Sequence, residues 1–163
     1  MPNISRTGPN IETVVPDYLK PGKIGSLVIA NRLVRTATSE TMATETGEAT
    51  DELTNFYGTL ARGGAGLLIT GHAYVEEVGQ CSARQIGIYA DALVPGLSRL
   101  TAAVHQNGGR IFCELSHAAS QSVMPNTDPI APSIIENVHR RGSTSSRCHD
   151  RRERKGIAVA ARR

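Results

Sequence analysis

Thr50-Asp51-Glu52-Leu53-Thr54-Asn55-Phe56-Tyr57-Gly58-Thr59-Leu60-Ala61-Arg62-Gly63-Gly64-Ala65-Gly66-Leu67-Leu68-Ile69-Thr70-Gly71 is the stretch whose reading decides the fold. From left to right it is a capped helix, a glycine stop and a short apolar strand. Thr50 offers an N-cap hydroxyl, and Asp51 and Glu52 fall in the first turn, where the helix dipole favours negative charge. Leu53, Phe56, Tyr57, Leu60 and Ala61 recur at i, i+3, i+4, i+7 and i+8, which lines one helix face. Gly63-Gly64 supplies a residue able to take the positive φ that ends helices. The apolar run Leu67–Gly71 follows within a few residues.

Similar punctuation extends in both directions. Upstream, residues 23–31 read as a small hairpin turning near Gly25-Ser26, and Arg32–Thr38 reads as a first core strand. Ser39–Ala49 is a polar loop. Downstream, a long connection over Ala73–Ala92 leads to a second helix from about Leu93 to Gln106. Pro95 suits its first turn, and Leu93, Leu97, Leu100 and Val104 make its inner stripe. Asn107-Gly108-Gly109 stops it, and Arg110–Ser116 is a third strand. A hairpin followed by βαβαβ predicts an α/β protein with a parallel sheet, whose chemistry belongs at the C-terminal ends of the strands. Thr38 and Ser39, His72, and His117 stand just past those ends.

The glycine clusters invite a different reading, a phosphate-cradling loop. Such a loop must follow a strand and open a helix, so that helix N–H groups face the anion. Gly63-Gly64-Ala65-Gly66 and Gly108-Gly109 do the opposite, closing a helix and feeding a strand. Both are helix stops.

Charge is unevenly distributed. Residues 1–139 hold 9 Lys+Arg against 13 Asp+Glu, a net −4, whereas residues 140–163 hold 9 against 2, a net +7. The overall +3 therefore says nothing about what the folded part binds. No apolar run approaches the ~20 residues that span a bilayer, and Met1-Pro2-Asn3-Ile4-Ser5-Arg6 lacks the apolar core of a signal peptide. The expected location is cytoplasmic, with no membrane partner. Cys81, Cys113 and Cys148 are odd in number and widely spaced, which argues against a disulfide framework or a metal site. Cys113 is expected as a small core residue of the third strand.

Five blocks in one order carry a family resemblance. They are KIGSLVIANRLVRTATSE (23–40), DELTNFYGTLARGGAGLLITG (51–71), IGIYADALVPGLSRLTAAVH (86–105), GGRIFCELSHA (108–118) and PIAPS (129–133). From about Tyr18 to Val138 the chain resembles the N-terminal part of the Old Yellow Enzyme family. That family comprises FMN-dependent ene-reductases and 2,4-dienoyl-CoA reductase-like NAD(P)H:flavin oxidoreductases. The resemblance implies a partial (β/α)8 TIM barrel: an N-terminal hairpin plugging one end, about three parallel strands and two helices. FMN would lie across the C-terminal face, reduced by NAD(P)H, and a small-molecule substrate would take the hydride.

The resemblance also implies site residues. Thr36, Ala37 and Thr38 match the stretch after the first strand that lies against the flavin, where many members carry Pro at the position of Ala37. A hydroxyl at Thr38 or Ser39 would tune flavin O4 or N5; otherwise these residues satisfy their own backbone. Gly71 and His72 match the end of the second strand, His72 being bulkier than the usual small residue. Glu114 matches a customary Gln on the third strand. The amide both donates and accepts, while an ionised carboxylate can only accept. Without a flavin, Glu114 is expected to pair with a nearby base. His117 matches a family histidine and is expected to be structural. The usual Gly-Arg after it is replaced by Ala119-Ser120.

The expected organisation is an irregular lead-in over 1–17, the partial barrel over 18–138 and a basic tail over 139–163 that is disordered or frameshifted. At 163 residues the chain is short of the roughly 250 of a closed barrel. The family's substrate-anchoring pair, proton donor and phosphate-binding residues lie on later strands. No catalytic residue is assigned, and the chain is expected to be inactive alone. A shifted reading frame accounts most simply for the Arg/Ser/His run after His139. Two alternatives stand beside this reading: a half-barrel that needs a complementary chain or a second copy, through exposed sheet edges, and a small basic nucleic-acid-binding protein.

Overall fold

A computed structural model describes residues 15–125 together with the strand residues 130–131 and 147–148. Most of the lead-in over 1–17 and most of the tail over 139–163 therefore lie outside the described residues.

Strands β1 (Gly22–Ile24) and β2 (Leu27–Ile29) pair antiparallel with Lys23 opposite Val28, and Gly25 takes the turn's positive φ of 59°. The core sheet is parallel, in the order β3 (Val34–Arg35), β4 (Leu67–Ile69), β6 (Ile111–Phe112). Val34 pairs with Leu67, and Ile69 with Phe112. Arg35, Leu68 and Ile111 form one cross-strand row, so they share a face of the sheet.

Helix α1 (Asp51–Arg62) joins β3 to β4, and α2 (Val94–Gln106) joins β4 to β6. The Thr50 hydroxyl caps α1 by accepting from Leu53 N at 3.1 Å, and it donates to Met42 O at 2.6 Å. Gly63 stays right-handed, and the positive φ of the stop falls on Gly64, at 85°. The two helices pack on each other and on the Leu68 face of the sheet. Leu53, Tyr57 and Ala61 from α1 meet Leu100 and Val104 from α2 and Leu68 from β4, all buried. Apolar burial on this scale is the main driving force for the unit, about 1.5–3 kcal/mol for each large side chain.

The chain departs from the sequence expectation in four places. Only Val34–Arg35 of the expected first strand is regular. The connection after the second strand holds β5 (Ala73–Tyr74), which pairs in parallel with β7 (Leu115–Ser116). Cys113 is exposed rather than part of the core, because the third strand breaks between β6 and β7 and leaves it outside the packed face. In the span expected to be disordered or frameshifted, Arg147–Cys148 make β9 beside β8 (Ile130–Ala131). A two-residue ladder needs only main-chain donors and acceptors, so apolar periodicity gives no sign of it.

Candidate active site

The sheet has two tiers. The second strand is interrupted at residues 70–72 and the third at 113–114, and the ladder crosses the gap through a side chain. Thr70 N donates to Phe112 O at 3.0 Å, and Glu114 N then donates to Thr70 Oγ1 at 3.2 Å. The backbone ladder resumes with Ala73 N to Glu114 O at 2.7 Å and Val75 N to Ser116 O at 3.1 Å. On the other edge of β5, Tyr74 N donates to Ile86 O and Ile88 N to Tyr74 O. Residues 86–88 thus occupy the upper-tier place beside β5 that the first strand holds beside β4. The step between the tiers is a rim, and Thr36, Ala37, Thr38, Gly71, His72 and Glu114 lie along it, whereas His117 lies beyond β7.

Beneath that rim lies a polar cluster that no sequence motif flags. Arg35 Nη2 is 2.8 Å from Glu40 Oε1, a pair whose side chains are only 19% and 5% exposed. The same guanidinium donates to three main-chain oxygens: Ile69 O (2.9 Å), Thr36 O (3.1 Å) and Thr38 O (3.3 Å). It also lies over the Phe56 and Tyr57 rings. The Tyr57 hydroxyl donates to Glu40 Oε1 and accepts from Gly71 N at 3.0 Å. Gly71 N lies 3.2 Å from Glu40 Oε1 as well. Burial, reinforced by the hydrogen bond to Glu40, pushes the Tyr57 phenol well above its ordinary range, so it remains a donor. Gly71 has to be glycine, since a Cβ there would stand 2.8 Å from Thr38 O. The available signal was an arginine inside an apolar strand, one helix away from a tyrosine on an apolar stripe.

His72 and His117 are each held by one ring nitrogen. Cys81 N donates to Gln85 Oε1 at 2.6 Å, which turns the amide so that Nε2 faces His72 O (2.8 Å) and His72 Nδ1 (3.0 Å). Nδ1 is therefore an acceptor, and the neutral ring carries its proton on Nε2. Ser116 Oγ, 3.3 Å from both Gln85 Nε2 and His72 Nδ1, closes the cluster. In His117, Nδ1 accepts from Ala119 N at 3.0 Å and Nε2 faces Glu76 Oε2 at 3.4 Å.

Three non-glycine residues among those described take positive φ: Thr41 (53°), Arg84 (55°) and Ala119 (50°). Each adjoins a group just named. Thr41 follows Glu40, Arg84 precedes Gln85, and Ala119 bonds His117. The left-handed turn at Ala119 is one that glycine adopts without strain.

The remaining expected residues fall on the rim as follows. Thr36 and Thr38 are exposed, with Thr38 Oγ1 3.5 Å from Thr36 O, and Ala37 is half-buried between them. Gly71 is buried and His72 half-buried. Glu114 is exposed, and among the described residues its carboxylate has no base paired to it, contrary to expectation. Arg35 is already paired with Glu40. No group of metal-ligating residues occurs among the described residues. None of the described helices is long and apolar enough to cross a membrane.

The sequence profile of the NADH:flavin oxidoreductase / NADH oxidase family matches residues 17–152. The chain belongs to that family. It is 35% identical over 127 residues to the NADH oxidase of Thermoanaerobacter brockii, covering 76% of this chain and 20% of the relative. It is 33% identical over 114 residues to an NADPH dehydrogenase of Listeria monocytogenes, covering 69% and 33%. Morphinone reductase in complex with tetrahydroNAD superposes with a TM-score of 0.78 at 24% identity, over 91% of this chain and 45% of that one. An Old Yellow Enzyme homologue of Zymomonas mobilis gives 0.74 at 24%, over 89% and 43%. These likenesses establish the partial TIM-barrel fold. The chain spans a third or less of the length of the curated relatives it matches.

FMN and NAD(P)H are the family's cofactors, and its substrates are small molecules. The rim partly fits a flavin. Ala37 and Gly71 add no bulk, His72 Nε2 offers a donor, and the exposed Glu114 carboxylate offers an acceptor. The bond from Ala73 N to Glu114 O ties the last two positions side by side. A flavin pyrimidine edge, with its carbonyls and N3–H, presents the complementary groups.

Proposed function

We propose that this chain forms the part of an FMN-binding barrel that underlies the flavin ring, in an NAD(P)H-dependent oxidoreductase of the ene-reductase kind. The observation that carries this is the common rim. Three parallel strands bring Thr36, Ala37 and Thr38, Gly71 and His72, and Glu114 to the same end of one sheet. FMN, when bound, supplies the hydride relay from NAD(P)H to an activated C=C bond. The chain's own residues support and orient it. Ala37 and Gly71 would give a flat floor, Thr36 and Thr38 would present their hydroxyls, His72 Nε2 would donate to a pyrimidine carbonyl, and the Glu114 carboxylate would accept a hydrogen bond from N3–H. In this reading His72 restores the donor that Glu114 lacks relative to glutamine. No residue of the chain is assigned a proton-transfer role, and the chain alone is proposed not to turn over.

Titration of the purified chain with FMN, followed by NADH and NADPH oxidation assays, tests this reading. The expected outcome is FMN uptake that weakens about tenfold or more in His72→Ala, the cost of one lost charge-free hydrogen bond and its packing, without turnover. Turnover by the chain alone would refute the inactivity, and no uptake at any accessible concentration would refute the flavin site.

A second reading is favoured by the exposed face. Val34, Phe112 and Leu115 are 43%, 43% and 46% exposed on the strands themselves. Apolar strand residues left open beside ladder edges that have no strand partner among the described residues favour self-association or a complementary chain. Sedimentation of the chain alone over a concentration series tests for self-association, with Phe112→Lys expected to shift it towards monomer.

A further inference from the structure

We infer that Arg35, Glu40 and Tyr57 are positioning residues for the flavin floor, with Arg35 and Glu40 forming a neutral charge pair that sets how the rim discriminates between oxidised and reduced flavin. The inference rests on the flavin reading above and adds to it three residues that contact the rim only from behind.

The grounds are geometric. Arg35 collects the main-chain oxygens of Thr36, Thr38 and Ile69, so three carbonyl dipoles of the first two strands point down into the guanidinium rather than up into the site. Glu40 and Tyr57 hold the one amide of Gly71 from the same side. These bonds pin Thr36, Thr38, Ile69 and Gly71 from the helix-facing side of the sheet, the side of the row Arg35, Leu68 and Ile111. Isolating such a pair from water strengthens its field at short range. Replacing one partner leaves a whole charge under the floor. The backbone also bears strain here: Thr41, next to Glu40, holds φ at 53°, a cost retained where surrounding contacts fix a conformation.

The sign of the charge effect separates positioning from mere support. Reduced flavin carries more negative charge than oxidised flavin. Glu40→Gln leaves Arg35 uncompensated and is expected to raise the ratio of reduced-FMN to oxidised-FMN affinity by about tenfold. Arg35→Met leaves Glu40 uncompensated and is expected to lower that ratio by a similar factor. Tyr57→Phe keeps both charges. It is expected to leave the ratio within about twofold while speeding amide exchange at Gly71. The measurement is titration of the full 163-residue chain with oxidised and with dithionite-reduced FMN, alongside circular dichroism and Gly71 amide exchange. Opposite shifts in the two charge variants support the inference. Shifts of the same sign, or no shift in folded variants, overturn it and leave the flavin site standing. If Arg35→Met fails to fold, the sign seen in Glu40→Gln decides alone. A parent chain that takes up neither form of FMN sinks the flavin reading and this inference together.

Discussion

At the residue scale, the polar cluster behind the rim and the left-handed positions make the sharpest demands on side-chain identity. Ala119 sits at φ 50°, where a Cβ is disfavoured and glycine is not. Ala119→Gly is expected to stabilise the chain by about 1 kcal/mol, read as a higher urea midpoint at unchanged slope. Gly71→Ala is expected to destabilise it by about 1–3 kcal/mol, because Thr38 O and Glu40 have to move aside. Tyr57 gives a pH signature. Its folded pKa is raised above the ordinary value near 10, as is that of Tyr74, again mainly through burial. The native state therefore holds these phenolic protons more tightly than the unfolded chain does. The contribution of these two phenols to stability is expected to be flat up to about pH 10 and to fall above it as the unfolded tyrosines ionise first. Tyr57→Phe should shallow that fall, which guanidinium unfolding at several alkaline pH values would show.

At the element scale, α1 was legible almost residue by residue. The Thr50 cap, the acidic first turn and the five-residue stripe all stand where the sequence puts them, because each is a local signal read within one turn. Thr50→Ala is expected to cost about 1–2 kcal/mol, since it loses both the Leu53 cap and the bond to Met42 O, and chemical denaturation measures it. The strands were legible as apolar runs but not as tiers. Thr70 looks like an ordinary strand residue, yet its hydroxyl replaces a main-chain group in the ladder, which only the third dimension reveals. Arg35 was hidden for a related reason. Its partners Glu40, Tyr57 and Ile69 are 5, 22 and 34 residues away, so no spacing rule joins them. The rim residues were found through resemblance and through the rule that parallel sheets work at one end. The clusters that hold the histidines, Gln85 with His72 and Glu76 with His117, were not, because their contacts come from the long connection that sequence reading left without structure.

At the scale of the whole molecule, the two-tier sheet shapes what can be added to it. On the first-strand side the upper tier is already closed: residues 86–88 bond to β5, and Gly87 N in turn donates to Gly47 O at 2.9 Å. The outer edge of β3 directly below has no strand partner among the described residues. A further strand arriving on that flank therefore finds seats at the base and none at the top. Whatever is added on that flank would meet main-chain groups along the base and find the top already taken.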